Sequence, residues 1–286
     1  MVPDPIVPAD ERRHPPGRGP SGPMSGKLSP DWEESWYLDF CAADARLAGY
    51  VRLTLRPGER TAWFWAGMVG GGPTLVTVRD HEVPMPSGGG LEVRASGLWT
   101  ELVCETPLDH WSVGLEAFGV ALDDPLEAWR RERGDPWALG LDVEWEAADA
   151  CQPWSGGYWQ GCVVHGDVLV GAERFSLDGT GTRVHQWGDR PRSTASGWAA
   201  GRLDDGTAFA VADPAVDCDP EGRLRSATFL VDGAEVAAAA VAQAPVLLPG
   251  EGRLSRALCR YEATGGRVGH GWAEWFLPDG SGPAQP

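Results

Sequence analysis

The sequence predicts an all-β protein made of two consecutive antiparallel β-barrels, or strongly bent sheets, with one short connecting helix. Three observations carry this expectation. From Trp36 onward, short alternating runs are separated by Gly, Pro and Asp turns, as in Tyr50-Val-Arg-Leu-Thr-Leu55 and Leu139-Gly-Leu-Asp-Val-Glu-Trp145, the pattern of antiparallel strands with one wet face. About fifteen such runs follow from alternation and turn spacing, too many for one small barrel and suited to two of about eight strands. The 39 glycines and 24 prolines among 286 residues favour tight turns and sheet bends over helices.

Taken in order, residues 1–30 are rich in Pro, Gly and charge, have little to bury, and read as a disordered N-terminal extension. A first β domain is expected over 31–148 and a second over 149–286, divided at a Gly- and Pro-containing junction near Ala147 to Gly157. Within Trp36-Tyr-Leu-Asp-Phe40, Asp39 among aromatics is either a buried, hydrogen-bonded carboxylate or a perturbed acid. Thr61-Ala-Trp-Phe-Trp-Ala-Gly-Met-Val69 is apolar on both faces, so one face is expected to line a barrel interior while the other meets a second layer. Val78-Arg-Asp-His-Glu-Val-Pro84 ends in four consecutive polar residues before its Val-Pro step and reads as a solvated turn at a strand end. The short helix is expected over Pro125 to Arg133, where Asp123 or Asp124 can cap and Pro125 suits the first turn.

Composition excludes several functions. A formal net charge of −17 and a pI near 4.7 oppose binding to nucleic acid or to anionic membrane surfaces, both of which attract basic patches. The six cysteines (Cys41, Cys104, Cys151, Cys162, Cys218 and Cys259) show no metal-binding spacing and read as reduced core residues. No apolar run approaches the ~20 residues that span a bilayer, and the first segment lacks the apolar core of a signal peptide. A soluble, cytoplasmic protein is therefore expected. No GxSxG elbow, HExxH, GxxxxGK[ST] or strand-GxGxxG-helix unit occurs. His165 and His185 carry no specific ligand spacing, so neither a metal nor a cofactor is expected.

Candidate functional residues come from two strand-like stretches. Gly179-Thr-Gly-Thr-Arg-Val-His-Gln-Trp-Gly188 sets His185 and Trp187 two residues apart, hence on one face of a strand. An imidazole beside an indole is either a lipophilic site with one proton-active group or a packed core pair. Arg267-Val-Gly-His-Gly-Trp-Ala-Glu-Trp-Phe276 places His270, Trp272 and Glu274 on one face and Gly269, Gly271, Ala273 and Trp275 on the other. A row of small residues admits another backbone or a ligand. The 15 tryptophans, against 4 tyrosines and 7 phenylalanines, either fill cores or wall an apolar cavity; Trp63, Trp65, Trp187, Trp198 and Trp272 are the candidates for the second role.

Trp36-Tyr-x-Asp-Phe40, Arg79-Asp-His-Glu-Val-Pro84, Gly179-x-Gly-x-Arg-x-His-x-Trp-Gly188 and Gly271-Trp-Ala-Glu-Trp275 occur in an order that resembles the bacterial lipocalin-like proteins related to carotenoid 1,2-hydratase (hydroxyneurosporene synthase). The resemblance covers most of residues 35 to 276. It implies a pair of lipocalin-like (calycin) barrels, a lipophilic isoprenoid- or polyketide-type substrate, and in some members metal-free acid chemistry or pericyclic shaping. His185 and Trp187 match the family's His-x-Trp. The aspartate that usually precedes the histidine is Val184 here, and Asp189 is the nearest substitute.

The expectation is an enzyme that binds a terpenoid, polyene or polyketide and performs cofactor-free hydration, isomerisation or cyclisation. His185 is the expected proton donor or orienter and Asp189 the group that sets its state. Trp187 and Trp198 would shape the pocket, with Trp63, Trp65, His270 and Trp272 as further ligand contacts. A non-catalytic carrier or sensor is the second reading, and a protein-interaction module the third. The oligomeric state is left undetermined.

Overall fold

The computed structural model describes residues 5–17, 29, 31–130, 132–154, 156–190 and 194–279. Its first strands are β1 (Trp32–Ala42), β2 (Leu47–Arg56), β3 (Thr61–Gly70), β4 (Leu75–Pro84), β5 (Leu91–Ala95) and β6 (Leu98–Thr106). They continue as β7 (His110–Leu122), β8 (Asp135–Ala147), β9 (Gln152–Trp154), β10 (Gly157–Val170) and β11 (Glu173–Asp189). The second group comprises β12 (Ser196–Leu203), β13 (Ala208–Ala212), β14 (Ala215–Cys218), β15 (Leu224–Val231), β16 (Ala234–Gln243), β17 (Val246–Leu248), β18 (Gly252–Ala263) and β19 (Arg267–Pro278).

Among the described residues these strands form an 11-stranded and an 8-stranded antiparallel sheet. The first runs β4-β3-β2-β1-β11-β10-β8-β7-β6-β5, and a further pairing of β4 with β7 brings it round on itself. The second runs β13-β12-β19-β18-β16-β15-β14. The all-β class is thus as expected from alternation and its lipocalin-like form as the resemblance implied, with more strands than the alternating runs and with those from Leu47 and Asp135 extending beyond them. The change of sheet falls between Asp189 and Ser196, not near residue 148. Strands β10 and β11 lie beyond the Gly/Pro junction yet pair with β8 and β1, because long-range register, invisible in local turn chemistry, decides which sheet a strand joins.

Burial on both faces organises the centre. Trp36, Leu38 and Phe40 of β1 point into the interior of the first sheet, with Phe64, Ala66 and Met68 of β3. The alternate residues Tyr37, Cys41, Trp63, Trp65 and Val69 pack toward the second sheet, against Leu254, Leu258 and Trp272. The doubly apolar run from Thr61 therefore does what its pattern implied. The connecting helix is a shorter 3-10 turn, Pro125–Trp129, capped by the Asp124 carboxylate accepting from the Leu126 N–H at 3.0 Å.

Two expectations need correction. Residues 5–17 are not a free extension. A 3-10 turn at Pro8–Glu11 carries Glu11 to 5% exposure, where Arg183 Nη2 donates to it at 2.8 Å and the Tyr158 hydroxyl donates to its other oxygen. Composition missed this because polar contacts, not apolar area, anchor the segment: Glu11 with Arg183 and Tyr158, Arg13 with the Pro86 and Gly88 carbonyls, and His14 with Glu34. The remainder of 1–30 lies outside the described residues, Ser29 and the tail at 31 onward aside. The segment from Arg79 is also not a turn. It continues β4, and His81 Nε2 accepts a hydrogen bond from the Trp65 indole at 3.0 Å.

Candidate functional site

Register between the sheets assembles a polar centre from two facing rows. On the first sheet, Arg52, Tyr37 and Val184 are lateral neighbours on β2, β1 and β11. On the second, Trp198, Glu274 and Arg256 are neighbours on β12, β19 and β18. Arg256 is the hub. Its guanidinium donates to the Glu274 carboxylate and to the Tyr37 hydroxyl oxygen and sits 4.0 Å from the Tyr50 ring centre and 4.5 Å from that of Tyr37. Aromatic faces compensate part of the cost of burying this cation. Arg52 adds a second cation 3.6 Å from Glu274.

Tyr37 donates its hydroxyl to Asp39 Oδ2 at 2.8 Å, and the Thr182 backbone N–H donates to Oδ1 at 2.8 Å. Burial pushes the Asp39 carboxyl up to about 7, against the opposing pull of those two donors and Arg256. The alternatives left open for Asp39 in the sequence are therefore both true. Burial likewise raises Tyr37 well above the ordinary phenol range despite Arg256, which keeps it protonated.

Beside this network a cleft of about 350 Å³ opens between the sheets, walled by Arg52, Trp154, Gln186, Trp198, Glu274 and Phe276. An adjoining small void shares Arg52, Trp154, Gln186 and Trp198 and reaches Tyr37 and Trp159. This size falls within the roughly 300–1,000 Å³ of small-molecule sites. Aromatic walls with a few convergent polar groups are the usual make-up of such a pocket.

The residues singled out in the sequence do not gather in one place. Alternation sends Val184 and Gln186 to the cleft and His185 and Trp187 to the opposite face of β11. There, His185 is 1% exposed, stacked on Trp36 with ring centres 4.5 Å apart, and its Nε2 lies 2.9 Å from Glu34 Oε1. Glu34, not Asp189, is the carboxylate beside it. Burial lowers the His185 pKa, more than Glu34 raises it. Burial of Glu34 is in turn outweighed by hydrogen bonds from His14 and His185, which hold it below its usual range. His14 of the N-terminal segment stacks on Trp187 at 3.8 Å between ring centres. Asp189 is exposed at the cleft rim.

Of the others, Trp198 walls the cleft. Trp272 is fully buried between the sheets, its indole donating to the Phe40 carbonyl at 3.3 Å. Trp63 and Trp65 lie on the same inter-sheet face of β3, under Arg56 and Arg52 respectively. His270 borders a separate small void with Asp39, Thr182 and Arg202, and Glu274 answers to Arg256 and Arg52. Sequence reasoning missed Tyr37 as a functional group, Arg52, Arg256, Glu34 and His14. The one available signal was a charged residue placed at an inward position of an apolar run, as Arg256 is in Leu254-Ser-Arg-Ala-Leu258.

Residues 7–217 match the family described as "Domain of unknown function (DUF7064)". The chain belongs to this family. The DUF7064 match starts inside the ordered N-terminal segment and ends in β14, so it includes Glu34, Tyr37, Asp39 and His185 and stops short of Arg256 and Glu274. No curated protein matches the chain by sequence. Among solved structures, a candidate AttH protein from Nitrosomonas europaea is 13% identical, covering 91% of this chain and 98% of its own, at a TM-score of 0.55. Kievitone hydratase from Nectria haematococca is 11% identical over 86% of this chain and 88% of its own, at 0.53. CghA is 12% identical over 89% and 91%, at 0.51. These likenesses are of fold, and the fold relation to lipocalin-like proteins is what the sequence resemblance implied. They do not single out a carotenoid hydratase branch. Among the described residues no helix is long and apolar enough to cross a membrane.

Proposed function

We propose that this DUF7064 protein binds a lipophilic small molecule, a terpenoid, polyene or polyketide, in the cleft between its sheets and catalyses hydration or ring closure by proton transfer from Tyr37. The observation that carries this reading is the Asp39–Tyr37–Arg256 network at the inner end of a tryptophan-walled cleft. With Asp39 protonated, its O–H donates to the Tyr37 oxygen, which Arg256 also serves as donor. The phenol hydrogen is then released from Asp39 and free to be directed at the ligand. Two donors on the phenol oxygen stabilise charge as the proton leaves. An acid near neutrality is suited to this exchange. Kievitone hydratase bears a hydratase's name on a similar fold, which supports the reaction class by analogy only.

A carrier is the second reading, favoured by the 3% exposure of Tyr37 and Asp39 and their internal hydrogen bonds. One experiment separates the two: purified protein is extracted, its bound compounds are identified by mass spectrometry, and those compounds are re-incubated with wild type, Tyr37→Phe, Asp39→Asn and Trp198→Ala. Catalysis requires a product in wild type, at least about a hundredfold loss of turnover in Tyr37→Phe with binding retained, and weaker binding in Trp198→Ala. It also requires a rate that falls as pH rises through about 7, where Asp39 loses its proton. Ligand without product in every protein leaves the carrier, and full turnover in Tyr37→Phe removes Tyr37 from the mechanism.

A further inference from the structure

On the far side of β1 and β11 from the cleft, three metal-ligand side chains from distant parts of the chain converge. His14 Nδ1 and His185 Nε2 each lie 2.9 Å from the same Glu34 oxygen, and the donor atoms of all three lie within 4.8 Å of one another. We propose that His14, Glu34 and His185 bind one divalent transition-metal ion of the zinc class, which pins the N-terminal segment across the end of the first sheet's interior.

Two imidazoles and a carboxylate are a donor set suited to zinc, cobalt, nickel or iron(II), and unsuited to the all-oxygen preference of calcium and magnesium. Tetrahedral ligands at about 2.1 Å from an ion stand roughly 3.4 Å apart, so the trio admits one by opening a few tenths of an ångström. Without an ion the Glu34 carboxylate accepts from two imidazole N–H groups; an ion would take the lone pairs of those same nitrogens, each neutral imidazole then carrying its one proton on its other ring nitrogen. The ligands are held in place: the His14 backbone N–H donates to both Glu34 oxygens at 3.0 Å, Trp187 stacks on His14 and Trp36 on His185. His185 Nδ1 is buried without a hydrogen-bond partner among the described residues, so stacking, and not the acceptor that commonly serves a ligating imidazole's other N–H, orients this ring. Glu34 and His185 are each 1% exposed and His14 21%, so the ion enters from the His14 side. A second cluster, His110, Glu144 and Glu146, lies nearer the surface and serves as the comparison.

The test uses the full chain without a histidine tag, stripped with chelator. Co²⁺ is titrated by its visible absorption, Zn²⁺ competes it off, and bound metal is counted by mass spectrometry of the elements. The expected result is one ion per chain, with affinity at least about tenfold weaker in His14→Ala and in Glu34→Gln and unchanged in His110→Ala. His14→Ala sits on a partly exposed segment, which keeps the barrel interior intact. Zn²⁺ should also slow tryptic cleavage after Arg12 and Arg13 in wild type and not in His14→Ala. Absence of stoichiometric binding, binding that survives His14→Ala and Glu34→Gln, or binding lost instead in His110→Ala overturns the assignment; cleavage indifferent to Zn²⁺ overturns the pinning.

Discussion

A single carboxyl, Asp39, makes the stability of this protein depend on pH in a direction opposite to that of an ordinary surface acid. Burial lifts it from 3.8 to about 7 in the folded chain, while in the unfolded chain it titrates near its ordinary value. Between those limits the folded state holds a proton the unfolded state has released, so its contribution to stability is full below about pH 4 and is lost as pH rises to about 7. At 1.36 kcal/mol per unit the loss is at most about 4 kcal/mol. Urea unfolding of wild type and Asp39→Asn at pH 5 and pH 8 checks this. The wild type should lose stability relative to Asp39→Asn on going to pH 8, and parallel behaviour of the two proteins would show that Asp39 does not titrate in this window. The sequence marked Asp39 as buried or perturbed from its aromatic neighbours alone. It offered no sign of Glu34, since a carboxylate between Glu33 and Ser35 on an early strand resembles any polar outward position until β11 is laid beside it.

At the scale of elements, the small residues of β19 show what a glycine row is for. A Cβ on Gly271 would stand 2.1 Å from the Ala200 carbonyl, and one on Gly269 would stand 2.1 Å from that of Arg202. The row therefore admits the backbone of β12, not a ligand, and both possibilities had been open from sequence. Gly271→Val should force β12 from β19 at a cost of about 1–3 kcal/mol, read as a lowered urea midpoint. Because β12 carries Trp198, the same substitution should weaken ligand binding in the cleft, whereas Gly89→Ala, in a turn with open space around it, should leave binding unchanged. The N-terminal segment teaches the complementary lesson. Its composition is that of a disordered tail, yet Glu11 finds Arg183, whose charge burial opposes and whose partners Tyr158 and Glu11 sustain. A few well-placed polar partners, Arg183 for Glu11 and Glu34 for His14, can order a segment that apolar content would leave loose.

For the whole molecule, the two sheets are joined by a packed layer in which a buried cation is central. Arg256 and Glu274 are 1% and 9% exposed at the side chain. Removing one member of such a pair strands a charge and costs about 3–5 kcal/mol, whereas replacing both by apolar residues of similar volume is close to neutral. Arg256→Met should therefore destabilise strongly and the double variant Arg256→Met with Glu274→Leu should recover part of the loss, limited by Arg52, which loses the Glu274 carboxylate 3.6 Å away, measured by urea unfolding. A double variant as unstable as the single one would mean that the guanidinium contacts with Tyr37 and the surrounding rings outweigh the ion pair. The proposed chemistry further predicts that the recovered double variant stays inactive, because the Tyr37 oxygen keeps only Asp39 of its two donors.

Sequence alone determined the all-β class, the two-faced burial of the strand from Thr61 and the proline-led turn after Asp124, because each rests on local period or local capping, which a few neighbouring residues encode; the lipocalin-like likeness came from the order of four motifs along the chain. Tertiary structure decided the rest. Which sheet β10 and β11 join, which face of β11 meets the cleft, and that Tyr37, Arg52, Arg256 and Glu274 form one centre all depend on strand register over long separations. A shift of one residue would send every side chain of a strand to the other face. His185 and Trp187 were correctly placed on one face, but only the pairing of β1 with β11 put that face inside the first sheet, with Glu34 and His14 in place of Asp189 and Trp198.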